Sequence, residues 1–229
     1  MKQKPFIISG IIGLVVIGMS LILMRVNPRS ANELAAGFWT PIIAFEFAES
    51  ETDVVLILGQ IGTPDQAELI DAFTRGNNLD FVYMVLYGVF LFIFAFTCVR
   101  LSGNKLFYIA AGLAVLVPIA DMLENLQLQA ILTGFVAGDD FSNNLARLKL
   151  FTWLKWGGLA FTFLLLTPFF THGNAFVRFI GVYTAVPFVL GVLSYFSGGT
   201  LKEIFALSVA LMFLLLIVFS FLYRTEQQG

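Results

Sequence analysis

Charge is scarce in this sequence. Only 12% of its 229 residues are Asp, Glu, Lys or Arg, while 59% are hydrophobic. Soluble domains carry about a quarter charged residues. A chain this long needs far more charge to cover a water-facing surface, so a lipid-facing exterior explains the deficit. Cysteine and histidine are scarcer still. The one cysteine, Cys98, permits no internal disulfide and no cysteine-based metal site. The one histidine, His172, excludes a multi-histidine zinc or haem site. A net charge of −2 leaves no basic field for nucleic acid. Neither a Ser–His–Asp set nor a glycine-rich phosphate loop is present. There is no low-complexity tract and no repeat of fixed period. The missing repeat counts against an inverted-repeat transporter, which is built from matched halves.

What is present is a series of six apolar blocks, each long enough or nearly so to cross about 30 Å of hydrocarbon at about 1.5 Å per residue. The predicted spans are 6–24, 81–99, 106–126 (with the helix continuing to about 136), 150–170, 178–196 and 204–223. They predict an all-α, polytopic transmembrane bundle forming a single membrane domain over 1–229. Lys2 and Lys4 precede the first block as in a signal peptide, but Arg25-Val26-Asn27-Pro28 follows it instead of a small-residue cleavage site. An uncleaved first helix is expected. The short loops Arg100–Lys105 and His172–Arg178 are basic and contain no acid, and Glu226 is the one acid on their side. The positive-inside rule then puts both termini in the cytoplasm, in a cell inner (plasma) membrane. Ser9 with Gly13, and Gly157 with Gly158, are small residues suited to close helix approach.

The segment 27–78 falls outside the membrane and reads as a helical cap. Ser30 and Glu33 fit a capping box. Thr40-Pro41 fits an N-cap followed by proline at the first helical position. Thr63-Pro64-Asp65-Gln66 repeats that signal, and Gly76 is a candidate stop. Three short helices are therefore predicted. Their apolar stretches, around Ile42–Phe47 and Val54–Leu58, suit the membrane interface or the top of the bundle.

Four ionisable residues fall at one predicted depth. Asp121, Glu124, Asn125 and Leu128 share one helical face. The two acids lie about 22 and 27 Å from the start of their span, in the outer third of the bilayer. Pro118, just before them, removes one backbone hydrogen bond and frees the Ala114 carbonyl. Lys155 enters the same layer from the next span, and Asp80 opens the second span there. A lone charge in hydrocarbon costs at least about 2.5–3.5 kcal/mol, so Lys155 is expected to pair with Asp121 or Glu124. Plainer roles exist for each: Lys155 snorkelling beside Trp153 and Trp156, Asp80 as a helix N-terminal acid, and the pair as a structural tie. Glu46 and Glu49, three apart, form with Glu51 and Asp53 a second acidic group that would suit a hard cation. They match no metal-loop spacing, and a solvated face is the plainer reading. His172 reads as a loop residue and Cys98 as a packed thiol.

Phe45-Glu46-Phe47-Ala48, Leu79-Asp80-Phe81, Asp121-Met122-Leu123-Glu124-Asn125 and Lys155-Trp156 together resemble an uncharacterised group of bacterial multi-pass membrane proteins. The resemblance covers about residues 6–170, and the last two spans look like an extension. It implies that Asp80, Asp121, Glu124, Asn125 and Lys155 belong to a recurring core, and it implies no activity. Three functions fit the residues. One is a protein that binds or transports a small solute, ion or lipid headgroup at the polar cluster. Another is an accessory or assembly subunit of a larger membrane complex. The third is a membrane-embedded carboxylate enzyme, disfavoured by the lack of histidine, serine or cysteine near the cluster. No cofactor is expected. The expected partners are membrane lipids and, on the accessory reading, other membrane subunits.

Overall fold

Each apolar block is helical in a computed structural model, which describes residues 4–59, 62 and 64–224. Lys2, Thr63 and Glu226, used in the sequence reading, lie outside these. In chain order the helices are α1 (Ile7–Val26), α2 (Pro41–Glu46), α3 (Glu51–Leu58), α4 (Pro64–Ser102), α5 (Leu106–Ala137), α6 (Ser142–Leu166), α7 (Ala175–Tyr183), α8 (Ala185–Tyr195) and α9 (Gly199–Leu222). A 3₁₀ turn, Thr167–Phe170, extends α6. Six of the helical segments, with α7 and α8 taken together, are long and apolar enough to cross a membrane. Among the described residues there is no strand.

The spans close into a ring: α1 packs on α4, α4 on α5, α5 on α6, α6 on α8, α8 on α9, and α9 back on α1. Small residues set the close approaches. A Cβ on Gly13 would meet Ile217 at 2.5 Å and one on Gly158 would meet Val117 at 2.6 Å, whereas Gly157 faces open space. Gly88 lets α4 rest against Pro118 and the free Ala114 carbonyl. At one end of the ring the Phe6 ring meets Phe94 at 4.7 Å, Phe219 at 5.3 Å and Tyr223 at 5.3 Å, so the starts of α1 and ends of α9 lie together. The ring's outside carries exposed Ile8, Ile11, Leu116, Val189 and Leu193, surface that suits lipid and not water.

The other end is covered by α2, α3 and the polar first part of α4. Here the sequence reading needs three corrections. Ser30 and Glu33 start no helix. The N–H groups of Asn32 and Glu33 instead donate to the carbonyls of Ile57 and Leu56, at 3.0 and 2.9 Å, supplying partners for the C-terminal end of α3. The capping box lies at Ser50 and Asp53, where Ser50 Oγ accepts the Asp53 N–H and the Asp53 carboxylate accepts the Ser50 N–H. Gly76 stops nothing: α4 runs unbroken for 39 residues, and a Cβ at Gly76 would overlap the Asn27 side chain. Glycine there allows the end of α1 to approach. Two short helices therefore stand where three were expected, the third signal being the start of α4. The fifth span is also broken, at Thr184; Pro187 lacks the N–H that the Tyr183 carbonyl would accept in a continuous helix.

Two apolar cores result. One fills the ring with residues such as Phe90, Phe94, Phe163, Phe213 and Leu216. The other joins the cap to the upper parts of α4, α5 and α6 through Phe45, Val54, Ile57, Phe73, Leu128, Phe135 and Leu148. Every helix crossing between them changes character at the same level. Along α5 the ring core ends at Val117 and the cap core begins at Leu128. Along α6 the cap core ends at Leu148 and the ring core resumes at Leu159.

Candidate functional site

The layer between the cores is polar. Helical spacing puts Asn77, Asp80 and Tyr87 on one face of α4, Asp121, Glu124 and Asn125 on one face of α5, and Thr152, Lys155 and Trp156 on one face of α6. The last residue of α2, Glu46, descends on them from the cap.

Lys155 is the centre. Its ammonium lies 3.0 Å from Glu46 Oε2 and 3.4 Å from Asp121 Oδ1, and forms a third ion pair with Glu124. The Lys155 side chain is 7% exposed and that of Glu124 fully enclosed, so this lysine does not snorkel. Neutral donors complete the carboxylates: Tyr87 OH donates to Asp121 Oδ2 at 2.6 Å, Thr152 Oγ1 to Glu124 Oε1 at 2.6 Å, and Trp156 Nε1 to Glu46 Oε2 at 2.9 Å. The Trp156 ring also lies 5.2 Å from the lysine nitrogen, so Trp156 belongs to the cluster.

Asp80 behaves differently. It opens no helix, since α4 begins at Pro64, so the helix N-terminal role is excluded. Asn125 Nδ2 donates to its Oδ2 at 2.7 Å, and Asn77 Nδ2 donates to the Asn125 carbonyl at 2.9 Å. Among the described residues Asp80 makes no ion pair. The layer thus holds four carboxylates and one ammonium, which pairs with three of them. Fully ionised, the cluster would hold three negative charges without partners, which burial strongly disfavours.

All five residues named for the site from sequence meet in this layer. Glu46 joins them and Glu49 does not, so the proposed acidic pair is split. Glu49 accepts from Lys149 at 2.9 Å and Lys202 at 3.1 Å at the surface. Partial burial pushes its pKa up, but hydrogen bonds and charges from Lys202 and Lys149 outweigh this and hold it below the usual carboxylate value. Asp53 is occupied in its capping box and Glu51 is exposed. Among the described residues no three His, Cys, Asp or Glu side chains are arranged to hold a metal ion. Tyr87, Thr152 and Asn77 were not anticipated. Each was detectable as a polar residue at helical spacing from Asp80 or Lys155. His172 is exposed and bonded to Thr171 at 2.8 Å, far along the chain from the layer, and Cys98 is fully buried.

A cavity of about 200 Å³ opens beside the cluster. Asn77, Asp80, Tyr87, Asp121 and Lys155 form its polar wall; Val209, Ala210 and Phe213 of α9 form an apolar wall opposite; Ile42 and Glu46 close it from the cap. The site can therefore hold a positive group against carboxylates while enclosing an apolar remainder. Comparison with known proteins gives no match to this chain, whether to a family model, a curated protein or a solved structure.

Proposed function

We propose that this chain is a multi-pass protein of the cell inner membrane, with both termini cytoplasmic and the cap outside, which binds or transports a positively charged group at the cavity beneath the cap. One observation carries the reading: Asp80 stands on the cavity wall without an ion pair, in a buried cluster already rich in negative charge. A cation entering there gains an unshared carboxylate and relieves like-charge repulsion among the acids. The basic inner loops support the orientation. The two-walled cavity supports a small solute or headgroup over a bare ion.

The test is thermal unfolding of the purified protein in detergent with ethylammonium, at ionic strength held constant with sodium chloride. Binding raises the midpoint in a saturable way, by about 2.7 kcal/mol of stabilisation at a hundred times Kd. Asp80→Asn, which preserves the shape and the Asn125 contact, should abolish the shift. No shift beyond the salt control, or one that survives Asp80→Asn, would remove this reading.

A further inference from the structure

The unsatisfied atoms around the cavity identify the positive group more closely. Asn77 is only 5% exposed, and its Oδ1 is buried with no hydrogen-bond partner. Asn27 Oδ1 is likewise buried and unpartnered. Both residues line the cavity with Asp80. Two amide oxygens without donors therefore line the same cavity as Asp80, a carboxylate that accepts from Asn125 but makes no ion pair among the described residues. A primary ammonium offers three N–H donors and a positive charge. A quaternary ammonium has the charge and no donor.

The cavity shares part of its wall with a neighbouring space. A second hollow of about 390 Å³ adjoins it through Asn27, Ile42 and Tyr83. It runs between the end of α1 and the start of α2, along Leu23, and its lip is formed by Met24 and Trp39, 71% and 51% exposed. Together the two spaces fall in the range of pockets that take drug-sized ligands. Arg29, exposed and without an ion pair among the described residues, lines the second hollow two residues beyond Asn27. The second hollow thus has Asn27 of the amine site, the cation Arg29 and the apolar Met24 and Trp39 in one lining.

We propose that the ligand is a phospholipid with a primary-amine headgroup. Its ammonium sits on Asp80, Asn77 and Asn27, its phosphate faces Arg29, and its acyl chains leave past Met24 and Trp39 into the bilayer. The proposal rests on the cation reading above and names the class of ligand. It makes the cavity laterally accessible from lipid.

Phosphatidylethanolamine and phosphatidylcholine with the same short acyl chains separate the donors from everything else, because they share phosphate, charge and tails. Each is titrated into detergent-solubilised full-length protein, followed by thermal unfolding and by native mass spectrometry. The ethanolamine lipid should bind at least about tenfold more tightly, since the choline lipid leaves buried acceptors unpaired. Asn77→Leu should erase the preference; Asn27→Leu is the alternative if the first variant does not fold. Arg29→Gln should weaken both lipids alike. Equal binding of the two lipids, or a preference that survives the asparagine variants, overturns the proposal. Ethylammonium binding that depends on Asp80, with no preference between the lipids, would leave the cation reading standing and remove the lipid alone. Absence of both responses removes the two together.

Discussion

Lys155 and Asp80 are charges of opposite standing in the same layer, and stability should tell them apart. Lys155 compensates three carboxylates at once, so Lys155→Met leaves Glu46, Asp121 and Glu124 buried without a counter-charge. Breaking a buried pair from one side costs about 3–5 kcal/mol, while neutralising both sides costs little. Unfolding in detergent should show a loss of that size for Lys155→Met, with part recovered on adding Glu124→Gln or Glu46→Gln. Strictly additive double-mutant cycles for both acids would mean that the lysine is energetically alone. Asp80→Asn should behave oppositely and hold stability or raise it, because it deletes a part-buried negative charge that makes no ion pair among the described residues. A loss comparable to that of Lys155→Met would show that Asp80 has a compensating partner after all.

At the scale of elements, the cap is fastened by residues near the start of α9. Glu203, 2% exposed, accepts the N–H groups of Trp39 and Thr40 at 2.9 and 2.7 Å, just where α2 begins. Thr40 is the N-cap residue but makes no capping bond with its own side chain; this distant carboxylate covers the backbone donors beside it. The neighbouring Lys202 reaches Glu49 just past the other end of α2 and lies near the Phe38 and Phe47 rings. Bonds to a buried charge are worth about 1.5–3 kcal/mol each. Glu203→Leu should therefore free α2, seen as faster hydrogen exchange across 39–47, while the ring helices keep their protection. Unchanged exchange would mean that cap packing alone positions Glu46. The Glu49 tie is sensitive to acid. Its folded pKa lies below the unfolded value, so its contribution is present above the ordinary carboxylate pKa and is lost as pH falls through the folded one. Exposure of the pair to solvent keeps that contribution small.

For the whole molecule, length separates what crosses lipid from what covers it. α4 and α5, at 39 and 32 residues, are about 58 and 48 Å long against a hydrocarbon core of about 30 Å. Their surplus stands at the capped end, around the second core, and leaves the polar layer near the boundary between lipid and cap. Orientation is tested with a single cysteine at the exposed position of Asp65, introduced as Asp65→Cys with Cys98→Ser. An impermeant thiol reagent should label intact cells. Labelling only after the cells are opened would place the cap on the cytoplasmic side.

Long, charge-poor apolar runs determined the spans, because lipid is a solvent that selects such helices whatever their neighbours. Residue spacing alone likewise put Asp121, Glu124 and Asn125 on one face and brought Lys155 to their level. Hydropathy could not show that α4 starts at Pro64, since it registers where lipid begins and not where a helix does; the polar turns before Asp80 remain helical because the cap covers them. Nor could sequence seat Glu46 on Lys155 or Glu203 under α2. Those contacts span more than a hundred and sixty residues in one case and more than a hundred in the other. They exist only because ring closure brings α9 and α6 beneath the same six-residue helix. Ser30 and Glu33 carry a valid helix-start signal that lost to a tertiary demand, the unpaired carbonyls at the end of α3. Local rules list the bonds a segment is able to make, and packing decides which partners are near enough to make them.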